Sequence, residues 1–109
     1  MLKRIHRLNH HEFKACFDTG VRSHTPAATI VSAKTPLWGV AVVVPKKVKK
    51  TAVARNRLRR QVYAAISQGV KQSAHHHIVI IKPLPQNTKV LSGATLEQII
   101  SRINQVTVQ

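Results

Sequence analysis

The stretch Leu37-Trp38-Gly39-Val40-Ala41-Val42-Val43-Val44-Pro45-Lys46-Lys47-Val48-Lys49-Lys50-Thr51 passes from apolar strand to basic connection to helix cap within 15 residues. Its first eight residues carry no charge and are rich in valine, the composition of a strand buried on both faces, so a central place in a sheet is expected for 37–44. Pro45 fixes φ and removes a backbone donor, which ends the strand. Thr51 can then cap a long helix running to Gln68 or Gly69. On a wheel at 100° per residue, Ala54, Leu58, Val62, Ala65 and Ile66 cluster on one side. Arg55, Asn56, Arg57, Arg59 and Arg60 fan around the rest, Arg55 nearest the apolar edge. One face packs and the other carries charge.

Upstream, residues 28–34 form a second apolar, partly β-branched run, separated from the first by Thr35-Pro36, and the two read as a strand pair. Before them, Asn9 and Glu12 have the spacing of a capping box, and Leu8 can staple onto Phe13. The short helix that follows, ended by Gly20, places Phe13, Cys16 and Phe17 at i, i+3, i+4 on one stripe. Downstream, residues 78–81 are a short buried strand with His77 and Lys82 at its ends. Pro83, Pro85 and Asn87 mark a loop. Thr95 and Gln98 then make a capping-box pair ahead of Leu96, Ile99, Ile100 and Ile103, the pattern of a last helix. No repeat, low-complexity tract or linker divides the chain. A single two-layer α+β domain over 1–109 is expected.

Lys and Arg number 18 against three acids, a formal charge of +15 at pH 7, while 43% of the residues are apolar. That is too apolar for a basic disordered tail. Between Asp18 and Glu97 there is no carboxylate, yet this stretch holds 13 of the 18 basic residues. A polyanion is the natural partner of such a surface. No apolar run approaches the roughly 18–20 residues of a spanning helix, and the basic N-terminus lacks the apolar stretch of a secretory signal, so a cytoplasmic location without membrane contact is expected. The lone Cys16 excludes an internal disulfide and a zinc site built on several thiolates.

Eight basic residues lie between Lys46 and Arg60: Lys46, Lys47, Lys49, Lys50, Arg55, Arg57, Arg59 and Arg60. Four ammonium groups lead into the N-terminus of a helix, whose amides and dipole also favour phosphate. Four guanidinium forks follow, each able to grip a phosphate in two bonds or stack on a base. Asn56 adds a group that both donates and accepts, suited to a 2′-hydroxyl or a base edge. A solvated helix normally mixes signs to gain i,i+4 pairs, and the absence of any acid here argues for a ligand.

The segment from Val44-Pro45-Lys46-Lys47 through Thr51-Ala52-Val53-Ala54-Arg55-Asn56-Arg57-Leu58-Arg59-Arg60 resembles the signature of the bacterial ribonuclease P protein component, a Lys-Lys loop leading to an Ala-x-x-Arg-Asn-Arg-aliphatic-basic-Arg helix. Phe13 and Phe17, three residues before Gly20, are similar to the family's paired aromatics. Gly39-Val40 before the loop and Ile78-Val79-Ile80-Ile81 before Lys82-Pro83 fit as well, so the resemblance covers nearly the whole chain. It implies the order αβββαβα, a small mixed sheet, a left-handed crossover around the second helix, and a cleft framed by the sheet and the first two helices. The extra strand would fall near 21–24. It further implies a protein subunit that binds the catalytic ribonuclease P RNA and the 5′ leader of precursor tRNA, while the RNA subunit performs hydrolysis with magnesium ions. No cofactor bound by the protein alone and no obligate protein partner are implied. Phe13 and Phe17 would meet leader nucleotides, and Lys46, Lys47, Arg55, Asn56, Arg57, Arg59 and Arg60 would face RNA. Aromatic rings stack on any unpaired base, and cations add affinity without sequence choice, which agrees with that division.

Two departures stand out. Gln61-Val62-Tyr63-Ala64 replaces the family's usual Arg-Glu continuation, leaving Tyr63 to pack at a core margin or to stack on RNA. Pro45 stands where a small residue is usual, which stiffens the loop. The run His75-His76-His77 leads into a strand that splits its side chains between faces, so metal binding is disfavoured and three exposed, titratable histidines are expected. Cys16 reads as a buried thiol and Trp38 as sheet packing. Two other functional classes share some of these features: a small ribosomal-type structural RNA-binding protein, and a self-sufficient ribonuclease with paired histidines. Glu12, Asp18 and Glu97 are too few and too scattered for a metal-dependent nuclease.

Overall fold

Residues 7–36, 38–70, 75–83 and 91–108 are described by the structure, a computed structural model, with side chains to 105. Leu37 and the expected Pro85 and Asn87 loop lie outside the described residues. Helix α1 (His10–Thr19) is opened by a complete capping box, Glu12 N–H donating to Asn9 Oδ1 and Asn9 N–H to Glu12 Oε1, both at 2.9 Å. Gly20 ends it in extended backbone, without the positive φ of a left-handed cap. The glycine is required for space instead. A Cβ there would sit 2.5 Å from the Cys16 carbonyl oxygen and 2.7 Å from Val31 Cγ1.

Strands β1 (Val21–His24), β2 (Ala28–Lys34), β3 (Gly39–Val43) and β4 (His75–Ile81) form one sheet in the order β1-β2-β4-β3. The expected extra strand is β1. The expected pairing of the two upstream runs is not found: β4 inserts between β2, which it meets antiparallel, and β3, which it meets parallel. β3 is therefore an edge strand rather than a central one. Its Val40 and Val42 are buried on one face while its Ala41 and Val43 are only half-buried on the other, and at its open edge Leu8 N–H donates to Val40 O at 3.2 Å. The centre goes to β4, where Ile78-Val79-Ile80-Ile81 present branched apolar side chains to both faces, whereas β3 begins with glycine and has alanine at its middle position.

Helix α2 (Ala52–Gly69) connects β3 to its parallel neighbour β4, as a crossover must. It buries Leu58, Val62 and Ile66, each contributing about 1.5–3 kcal/mol of apolar burial. These meet Val40, Val42, Ile30, Val79 and Ile81 from the sheet and Ile99 and Ile103 from helix α3 (Gly93–Val108). Helix α3 starts one turn earlier than the Thr95 capping pair implies. Ser92 is the residue that caps it, its Oγ accepting from Thr95 N–H at 3.2 Å, because a serine three residues ahead offers the same chemistry to a longer helix. Among the described residues the opposite face of the sheet carries α1 and Leu8, with Cys16 packed on Val31 and Ile78, and with Phe13, Ala41, Val43 and Ile80 partly buried around them.

Candidate nucleic-acid interface

The basic connection is a shaped turn. Pro45 O accepts from Val48 N–H at 2.9 Å and from Lys49 N–H at 3.4 Å, and Val48 is buried in the core beside α2. One apolar anchor thus holds a loop whose Lys46, Lys47 and Lys50 are exposed and whose Lys49 is half-buried. Arg55 fastens the loop to the helix, its Nη1 donating to Lys49 O at 3.1 Å and Lys50 O at 2.9 Å. Thr51 caps α2 by accepting from Ala54 N–H at 3.2 Å. Arg57 and Arg60 are exposed, and Arg59 Nη1 donates to Asn56 Oδ1 at 2.6 Å, which leaves the Asn56 amide nitrogen as a donor. Burial of Leu58 between Arg57 and Arg59 fixes the rotation of the helix. All nine residues singled out from the sequence therefore fall on one continuous turn-and-helix, with Arg55 committed in part to organising it.

Gln61 and Tyr63, at the departure from the family pattern, point inward to structural duties. The Gln61 amide donates to Leu91 O and accepts from Leu91 N–H, both at 2.8 Å, bracing α2 against the start of α3. Tyr63 packs at the core margin and its hydroxyl oxygen accepts from Val42 N–H at 3.1 Å. The Arg7 guanidinium lies over the Tyr63 ring at 4.6 Å, which puts a cation from the N-terminal segment beside α2. Sequence reasoning passed over Arg7 and Gln61, since nothing in local spacing ties either to its partner.

The aromatic pair lies on the other side of the sheet. Phe13 and Phe17 stack with ring centroids 6.0 Å apart and planes 12° from parallel. Phe13 is half-buried against the sheet and Phe17 is 38% exposed. Beside them the sheet face is only partly covered, with Thr29, Ala41, Val43 and Ile80 half-buried. That strip runs to the end of β3, three residues before Lys46. Cys16, between the two rings in sequence, is buried with Sγ 3.5 Å from His76 O, and burial pushes its thiol pKa up.

The histidine run departs from expectation. His75, His76 and His77 belong to β4, and His76 and His77 are buried. His77 Nδ1 is 2.8 Å from Ser32 Oγ, and its ring meets Trp38 edge-on with centroids 5.4 Å apart. Burial, reinforced by His75 and His76, lowers its pKa to about 4. His76 faces the opposite side, 3.8 Å from Glu12. The strand is longer than its apolar run because the histidines pair with residues 32–34 of β2 and 39–40 of β3. Among the described residues no three of His, Cys, Asp and Glu come together to hold a metal.

Three helices and a four-stranded mixed sheet, with one acid-free basic helix and one half-open sheet face, define a small basic α+β domain. The sequence profile of the Ribonuclease P family matches residues 2–105, and the chain belongs to that family. The ribonuclease P protein component of Microcystis aeruginosa is 37% identical over 93 residues, covering 75% of this chain and 76% of its own. That of Trichormus variabilis is 32% identical over 97 residues, covering 87% and 67%. Among solved structures, the RNase P protein of Thermotoga maritima superposes with a TM-score of 0.74 at 17% identity, over 91% of this chain and 96% of that one. The Staphylococcus aureus RNase P protein gives 0.72 at 17% identity, over 96% and 99%. At such identities these structures speak to the fold alone.

Proposed function

We infer that the chain acts as one domain and serves ribonuclease P by binding its catalytic RNA and the 5′ leader of precursor tRNA, leaving phosphodiester hydrolysis to the RNA subunit and its magnesium ions. The observation that carries this reading is the acid-free segment 46–60, where buried Val48 and Leu58 hold Lys46, Lys47, Lys50, Arg57 and Arg60 out to solvent. Arg55 and the Arg59–Asn56 pair keep that surface in shape, so it meets RNA with little reorganisation. Phe13 and Phe17 supply a stacking platform for unpaired leader bases, at roughly 1–3 kcal/mol per base. The buried His76 and His77 face opposite sides of the sheet and so do not form an acid–base pair with each other.

The test mixes the purified chain with a bacterial ribonuclease P RNA at moderate magnesium and follows cleavage of precursor tRNA. Strong stimulation, with no cleavage by protein alone, is expected. RNA binding without stimulation would favour a structural, ribosomal-type role, and cleavage by protein alone in chelator would mean a self-sufficient nuclease. Arg57→Ala with Arg60→Ala should weaken binding to the catalytic RNA, whereas Phe17→Ala should reduce the preference for leader-bearing over mature tRNA. With about six phosphates engaged, log affinity should fall with log salt at a slope of roughly −4 for a single strand.

A further inference from the structure

Phe17 has a second neighbour besides Phe13. The Arg22 guanidinium lies over its ring, Cζ 4.5 Å from the centroid. Arg22 is on β1, opposite Val31 in the antiparallel register, which puts it on the sheet face that carries α1 and the uncovered strip. Arg22 is exposed, and no carboxylate among the described residues pairs with it. His24, the next residue of β1 on that face, is also exposed, its Nδ1 3.2 Å from Thr29 Oγ1. The aromatic platform is therefore bordered by an unneutralised cation from β1, on a strand well separated in sequence from the basic loop.

Resting on the leader reading above, we propose that Arg22 is a further leader-binding residue, which engages the phosphate of the nucleotide whose base stacks on the Phe13–Phe17 pair. A planar guanidinium is suited to both positions this requires. It stacks on the ring while the site is empty, and its fork can close on a phosphate when a base takes or shares the ring. Holding the group on Phe17 beforehand keeps it within one nucleotide of its target, so less side-chain freedom is lost on binding. A brace that merely props Phe17 would do none of this for RNA.

The experiment uses the complex reconstituted with a bacterial ribonuclease P RNA. Affinities for leader-bearing and mature tRNA are measured across a salt series for the parent protein, Arg22→Ala, Arg22→Lys and Phe17→Ala. Arg22→Ala should weaken leader-bearing tRNA roughly fivefold to tenfold, leave mature tRNA unchanged, and reduce the steepness of the log–log salt dependence by about 0.7. Arg22→Lys should restore that steepness and only part of the affinity. If Phe17→Ala loses the leader preference while Arg22→Ala keeps both affinity and slope, Arg22 is only a brace and the proposal fails alone. An equal loss on both tRNAs also overturns it, as unspecific charge. If neither variant moves the preference, the leader reading fails and takes the proposal with it.

Discussion

On the sheet face that carries α2 and α3, Ala28, Ile30, Val40, Val42, Val79 and Ile81 are all buried; on the opposite face Val31 and Ile78 are buried under the ten residues of α1, while Thr29, Ala41, Val43 and Ile80 beside it stay half-exposed. Branched apolar residues stand on both faces, Val31, Val43, Ile78 and Ile80 on the second, so hydrophobicity alone does not distinguish them. Helix length does. Two helices of 18 and 16 residues close the first face, and a helix of ten cannot close the second. Stability is therefore concentrated on the closed face, and the contacts proposed for RNA fall on the half-open face and on the basic surface of α2.

The largest effect is expected of Leu58→Ala, which empties a fully buried site on the closed face. A loss of about 2–5 kcal/mol is expected in urea unfolding, a large share of the roughly 5–15 kcal/mol of an ordinary domain. Acid should act on the same face through His77. Its pKa falls from 6.5 to about 4 on folding, so between those values the unfolded chain takes up a proton that the folded chain refuses. His77 thus makes stability drop as pH falls from 6.5 to 4, by about 3 kcal/mol in all, with no further contribution below that window. His77→Gln should flatten this part of the curve; a curve parallel to the parent's would show that the ring is not shut away. Gly20→Ala, at the junction of α1 with the sheet, should lose about 2 kcal/mol, since its Cβ meets backbone and a packed valine. Ile80→Ala on the half-open face should cost only about 1 kcal/mol, for little additional surface leaves water there. An Ile80→Ala loss matching that of Leu58→Ala would abolish the distinction between the faces.

Much of the candidate interface could be read directly. Thr51 caps α2, Leu58 turns its apolar side inward, and the basic residues from Lys46 to Arg60 share the surface, because a helix places side chains by spacing alone. Arg55, nearest the apolar edge of the wheel, became a strap on the loop carbonyls once the loop's path was known. The Phe13–Phe17 stack follows from i,i+4 spacing on α1, but the cation on Phe17 does not, because Arg22 reaches it only through the sheet.

The amino-acid order by itself determined the helices, the run of charge without an acid, and the alternation that sends side chains to one face or the other, since each depends on neighbours a few residues apart. Only the tertiary structure decided which strands lie side by side. Periodicity assigns a residue to a face and says nothing of the strand beside it, so β4 could enter between β2 and β3 and seal His77 inside without any local signal. The same long-range choice left one face half covered, where Arg22 and Phe17 meet.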